Sequence, residues 1–220
     1  MALLKIFILG LTLLTTSYPT YSIILSPSVL EYSVNSGRSA QITVVNNTTQ
    51  KLPLETSLLQ LAFKKDGSYG TKEPKDESLI VLPPAAILTP GATQVFRVQW
   101  IGAEQLPESK SYFVRFTQPS LYSSDSSTGI ALQIHYNALL HVSSDQNKPS
   151  IVLNIDNEGA ATLENQGSKY TYSSLLEFSS AHQHQKLKLN LKEMFLPPRS
   201  TFHIPNLEDL SSGEYVGYEQ

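Results

Sequence analysis

The chain contains no cysteine. That excludes disulfides, thiolate nucleophiles and Cys-ligated zinc or iron–sulfur centres, and leaves Ser, Thr, His and carboxylates for any chemistry. Exported domains of modest size often use disulfides to supplement the core, so this chain must rely on burial and strand pairing. Charge is also scarce, with 16% of residues Asp, Glu, Lys or Arg against about 25% in ordinary globular chains. The formal charge of −3 becomes one unit more negative when Lys5 leaves with the N-terminal segment described below. No basic surplus suggests broad binding to nucleic acid or to an anionic membrane. Beyond residue 22 no apolar run reaches the ~20 residues that span a bilayer, so no stable membrane insertion is expected. Neither a Gly-x-Ser-x-Gly elbow nor a glycine-rich phosphate loop occurs, which argues against an enzyme and against a nucleotide cofactor.

What is present begins with an export signal. Residues 1–22 carry Lys5, an apolar run over 6–14 interrupted only by Gly10 and Thr12, and a Thr20-Tyr21-Ser22 ending with small residues at −3 and −1. The run is too short for a membrane anchor. Cleavage leaves about 200 residues, which allows one large domain or two small ones.

From Ile23 onward, apolar residues recur at period two in short runs broken by Pro, Gly, Asn and Ser. Leu30, Tyr32 and Val34 alternate with polar neighbours, and Ile42 and Val44 follow the Asn35-Ser36-Gly37 turn. Further strands are predicted over 52–63, 78–82, 93–101 and 111–117. With Pro83-Pro84, Pro90-Gly91 and Leu106-Pro107 as punctuation and no 3.6-residue period, the pattern predicts an all-β chain opening with an immunoglobulin-like sandwich. The polar segment 143–149, ending in Pro149, reads as a linker. Domains are therefore predicted over 23–143 and 150–220, the second a smaller β-sandwich with strands at 151–155, 161–164, 169–178, 186–191, 201–204 and 214–218. No internal sequence repeat is evident.

The most informative segment is 129–143, where Ile130, Leu132, Ile134, Tyr136, Ala138, Leu140 and Val142 occupy one face. Roughly 13 residues at ~3.3 Å each make a strand near ~43 Å, over twice the usual length. One sandwich face of ordinary size does not cover such a row. Either the strand bends between two sheets of its own domain, or part of the row is covered by something the protein does not supply. Other features carry less. His182-Gln183-His184 sets two imidazoles on one face of an extended segment, but polar flanks and the lack of a third ligand read as a solvated hairpin, so no metal site is predicted. Asn46-Asn47-Thr48 is formally a glycosylation acceptor, and the Ser-rich run 123–128 reads as a mobile loop.

Several motifs occur in a telling order. Leu82-Pro83-Pro84 precedes Leu88-Thr89-Pro90-Gly91, Gln94 and Phe96-Arg97-Val98. Leu106-Pro107-Glu108-Ser109 then leads into Tyr112-Phe113-Val114-Arg115-Phe116 and the long strand. This order and spacing resembles the periplasmic chaperones of the chaperone/usher pathway, which assemble fimbriae on Gram-negative cells. Residues 161–167 and Leu196-Pro197 before Phe202 continue the resemblance into the second domain, and the ending Tyr136…Leu140-His141-Val142 is similar to the archaic branch.

The resemblance implies two immunoglobulin-like β-sandwich domains in a boomerang arrangement, a periplasmic location and no enzymatic activity. Its implied partners are fimbrial (pilus) subunits and an outer-membrane usher. Such a chaperone lends its long edge strand to a subunit whose own sandwich lacks its last strand. The donated row expected here is Ile130, Leu132, Ile134 and Tyr136. In the better-known branch an Arg near the start of the first strand and a Lys in the long strand hold the subunit's terminal carboxylate. The corresponding positions here are Val29 and Leu139, neither of which binds a carboxylate, so His135, Arg97 and Arg115 stand as candidates in their place. A free chaperone is also expected to cap its exposed edge by forming a dimer. The competing reading is an exported two-domain structural or adhesive binding module in which the long strand is internal.

Overall fold

The computed structural model describes residues 22–37, 39–75, 77–119, 133–180, 183–187, 191–204, 207 and 211–219. In chain order the strands of the first part are β1 (Ile23–Ser26), β2 (Val29–Ser33), β3 (Ala40–Asn46), β4 (Leu52–Phe63), β5 (Tyr69–Lys72), β6 (Leu79–Leu82), β7 (Ala85–Leu88), β8 (Thr93–Trp100), β9 (Lys110–Gln118) and β10 (Ile134–Ser143). One sheet runs β1-β3-β8-β6; the other runs β2-β10-β9-β4-β5, with β7 paired to β4. Alternate residues of both sheets fill the space between them: Ile42, Val44, Phe96 and Val98 from the first face Leu54, Val114, Phe116 and Leu140 from the second, all buried. Phe96 and Phe116 meet edge to face at 4.9 Å. Each such side chain contributes roughly 1.5–3 kcal/mol by leaving water.

The remaining strands are β11 (Ile151–Ile155), β12 (Ala161–Asn165), β13 (Thr171–Tyr172), β14 (Leu176–Ser180), β15 (Gln183–Leu187), β16 (Phe195–Leu196), β17 (Ser200–Ile204) and β18 (Gly213–Glu219). They form a six-stranded sheet, β15-β14-β18-β11-β12-β17, and a two-stranded one, β13-β16. A separate hydrophobic cluster built on Ile151, Leu153, Leu163, Leu176, Phe178 and Leu196 lies within this set.

Local chemistry accounts for departures from the expected strands. Val34 leaves its strand for a 3-10 turn over Val34–Ser36, because the Ser33 hydroxyl accepts the Asn35 N–H and Gly37 ends the turn in the left-handed region at φ 63°. The strand expected over 169–178 is split by a second 3-10 turn, Ser173–Leu175. There the Ser173 hydroxyl donates to the Lys192 carbonyl and accepts the Met194 N–H, tying the chain toward β16. β5 escaped the sequence reading because all four of its residues are exposed and show no alternation.

The two strand sets share a device that the sequence does not display as a repeat. Asn46, at the end of β3, is fully buried; its amide donates to the carbonyls of Gln50 and Leu88, while its oxygen accepts from the Thr48 N–H and hydroxyl. Asn165, at the end of β12, donates to the carbonyls of Lys169 and Leu196 and accepts the N–H groups of Gly167 and Ser150. In each case one buried amide satisfies the backbone of the turn that follows and of a strand across the sandwich. The Asn46-Asn47-Thr48 sequon is thus a structural corner, with its amide nitrogen already occupied.

The segment between the two strand sets is not a loose tether. Ser144 and Asn147 are buried, the Asn147 side chain accepts the Ser144 N–H and donates to the Leu106 carbonyl, and the Lys148 carbonyl accepts the N–H groups of Ser168 and Lys169. Arg199 pairs with Glu108 at 3.1 Å, and the Thr201 N–H donates to the Lys65 carbonyl in the β4–β5 turn. Gly67 in that turn sits at φ +78°, and a Cβ there would run into the Phe202 ring, so only glycine allows this approach.

Candidate functional site

β10 is paired along one whole side with β9, from Ile134 opposite Gln118 to Val142 opposite Lys110. On its other side the parallel strand β2 covers only Leu139 to Ser143. The Leu139 N–H donates to the Ser28 carbonyl at 2.8 Å, and there the cover begins. Among the described residues, no strand pairs with β10 on that side over residues 134–138. A ladder edge left open in this way offers unpaired N–H and C=O groups to another strand.

The side chains follow the same gradient. Val142, Leu140 and Ala138 are fully buried; Tyr136 is partly buried against the core, and desolvation raises its phenol above the ordinary value; Ile134 is 38% exposed. One face of one strand therefore passes from core to solvent toward its N-terminal end. Ile130 and Leu132, the other members of the expected donated row, lie outside the described residues, as does the Ser-rich run before them. His182 of the His-x-His motif also lies outside them.

Of the three residues expected as carboxylate candidates, the fold sets His135 and Arg115 on one face and leaves Arg97 in the opposite sheet. His135 and Arg115 lie on the outward face of the β10–β9 pair, in neighbouring rows; the His135 ring is 3.0 Å from the Thr117 hydroxyl, and Arg115 Nε donates to Asn137 at 3.2 Å. Arg97 lies on β8, in the opposite sheet, where it pairs across to Gln41 and Leu82. Val29 and Leu139 do stand directly opposite each other on β2 and β10.

Two features of this face went unread in the sequence. Phe113 and Leu59 continue the Val29–Leu139 row across β9 and β4. Below it His141 is 1% exposed, with Nδ1 2.8 Å from the Ser111 hydroxyl and Nε2 3.1 Å from the Tyr172 hydroxyl. Its ring centroid is 4.3 Å from that of Tyr170 and 4.9 Å from that of Phe195, and these two are 5.6 Å apart, so the three rings form one cluster. Desolvation in this aromatic cage holds the imidazole down at about 4. Burial, together with the nearby Glu31 charge, pushes the Tyr170 phenol up. His141 is thus a neutral wedge joining β10 to the second strand set. No local signal in the sequence marks this cage, because only folding brings Tyr170, Tyr172 and Phe195 to His141.

No protein-family model matches the chain, and no curated protein matches its sequence. Solved structures do match. A chain of the chaperone–tip adhesin complex of CFA/I fimbriae biogenesis is 14% identical, with 90% of this chain and 98% of that one covered at a TM-score of 0.63. The class 5 fimbriae chaperone CfaA is also 14% identical, covering 90% and 99% at 0.60. A chain of the CsuC–CsuE chaperone–tip adhesion subunit pre-assembly complex, from archaic chaperone-usher Csu pili of Acinetobacter baumannii, is 15% identical, covering 83% and 89% at 0.53. The chain is all-β and has the two-domain fold of the fimbrial chaperones.

Proposed function

We propose that the protein is a non-enzymatic periplasmic chaperone that binds, folds and escorts fimbrial subunits and delivers them to an outer-membrane usher. Residues 1–22 serve as its export signal, 23–143 as the subunit-binding domain and 150–220 as the second domain. The observation that carries this reading is the open side of β10 next to Ile134 and Tyr136, in a chain with the fold of fimbrial chaperones. A subunit strand laid against residues 134–138 would gain ladder hydrogen bonds, and its open groove would receive Ile130, Leu132, Ile134 and Tyr136. Four such side chains at roughly 1.5–3 kcal/mol each supply a useful gross driving force, of which association and ordering take back a large part.

The test is co-expression with a fimbrial subunit of the same organism and co-purification from the periplasm. Ile134→Asp is expected to abolish capture while far-UV circular dichroism and the urea midpoint stay at wild-type values. Undiminished capture by Ile134→Asp and Leu132→Asp would defeat the proposal, and loss of folding in both would favour an internal strand in an adhesive or structural module.

A further inference from the structure

Val29, Leu139, Phe113 and Leu59 stand in one row across β2, β10, β9 and β4, all on the outward face. Val29 is 49% exposed, the other three are partly exposed, and Tyr69 extends the row through an edge contact with Phe113 at 6.1 Å. The row on one side, Ser111 and His141, is covered by Tyr170 and Phe195. The row on the other, Asn137, Arg115 and Ser57, is polar. The apolar step between them is four strands wide.

Its position relative to the open edge indicates its occupant. A strand added along residues 134–138 of β10 cannot continue past Leu139, because β2 takes over the edge there. The inward side at that point is filled by Leu30, Ala138 and Leu140, all buried. The end of the added strand must therefore turn outward, onto Val29 and Leu139. A bare carboxylate there would lose hydration against apolar side chains, and the row itself offers it no side-chain donor, since Val29, Leu139, Phe113 and Leu59 are all hydrocarbon. We infer that a partner strand running parallel to β10, as β2 does on the same edge, brings its last residues here, and that the Val29–Leu139–Phe113–Leu59 row receives an apolar or aromatic side chain from them and so selects partners by that side chain rather than by a terminal charge. This rests on the reading of β10 as a strand-accepting edge.

The probes are immobilised synthetic peptides of about ten residues with one alternating Val/Thr sequence, ending in Phe, Leu or Ser, each as free acid and as amide. Binding of the full mature chain is measured by surface plasmon resonance. The Phe and Leu peptides are expected to bind roughly tenfold more tightly than the Ser peptide, with acid and amide alike. Leu139→Asn, and independently Val29→Asn at its more exposed position, should remove that preference while leaving the Ser peptide's affinity in place. Preference for acid over amide with no difference between Phe and Ser would overturn the inference. So would a dimer in sedimentation velocity that Leu139→Asn dissolves, since the row would then belong to a second copy. Ile134→Asp separates the two levels: if it weakens every peptide while all bind alike, the row fails and strand pairing stands. If no peptide binds, or Ile134→Asp changes nothing, strand pairing fails and takes the row with it.

Discussion

Over Leu139 to Val142, β10 has a partner strand on each side and a filled core beneath it; over Ile134 to Ala138 the same strand, with the same alternation, has among the described residues a partner on one side only, and Ile134 is exposed where Leu140 is buried. The difference does not lie in the residues of β10. It lies in where β2 starts and where the opposing sheet ends, so a period-two pattern reports which face is apolar without reporting what covers it. The two stretches should therefore respond oppositely to the same chemical change.

The largest effect belongs to the covered end. Leu140→Ala removes a fully buried side chain and leaves a cavity between sheets that cannot collapse independently. It is expected to lower stability by about 2–5 kcal/mol, seen as a fall in the urea midpoint at unchanged slope. A loss below about 1 kcal/mol would show that the core under β10 is looser than its burial indicates.

His141 gives the covered end a second signature, in pH. Above about 6.5 both folded and unfolded chains hold a neutral imidazole. Below it the unfolded chain takes up a proton that the folded chain refuses until about pH 4, so stability falls as pH falls across that window, by about 3 kcal/mol in all. The groups facing the ring are the Ser111 and Tyr172 hydroxyls and the Tyr170 and Phe195 rings, with Glu31 opposite it on β2. Urea titrations at pH 7 and 4.5 measure the slope, and His141→Phe should flatten it whatever it does to stability at pH 7. A slope that survives this substitution would trace the acid sensitivity to the carboxylates.

These responses also mark what could be read from residues alone. β4, β8, β9 and β11 were legible because each is a run rich in apolar, β-branched and aromatic residues with turn residues beyond its ends. β5, whose residues are all exposed, was not, nor was the division of 169–178, which depends on the Ser173 hydroxyl meeting residues 192 and 194. The excess length of the strand ending at Val142 was visible, as was the apolar identity of Val29 and Leu139. Their cross-strand pairing was not, because register between β2 and β10 joins residues over a hundred positions apart. The His141 cage belongs to the same class: its partners come from β9, from Tyr170 just before β13, from β13 itself and from β16. The segment 143–149 reads as a linker by composition, yet Ser144 and Asn147 are buried in a network that composition does not encode.

The smallest effect is the one that separates covering from pattern most sharply. Ile134→Ala removes nearly the same hydrocarbon as Leu140→Ala, from the same face of the same strand. Ile134 already meets water, so the folded chain loses little burial and no closed cavity forms. Stability should move by less than about 0.5 kcal/mol, at the limit of a urea titration. If the proposed function holds, capture of a fimbrial subunit should nonetheless fall, because the methyl and methylene groups removed are those a partner's groove would cover. A loss of 2 kcal/mol or more would mean that the chain itself covers Ile134, and the contrast between the two ends of β10 would then disappear.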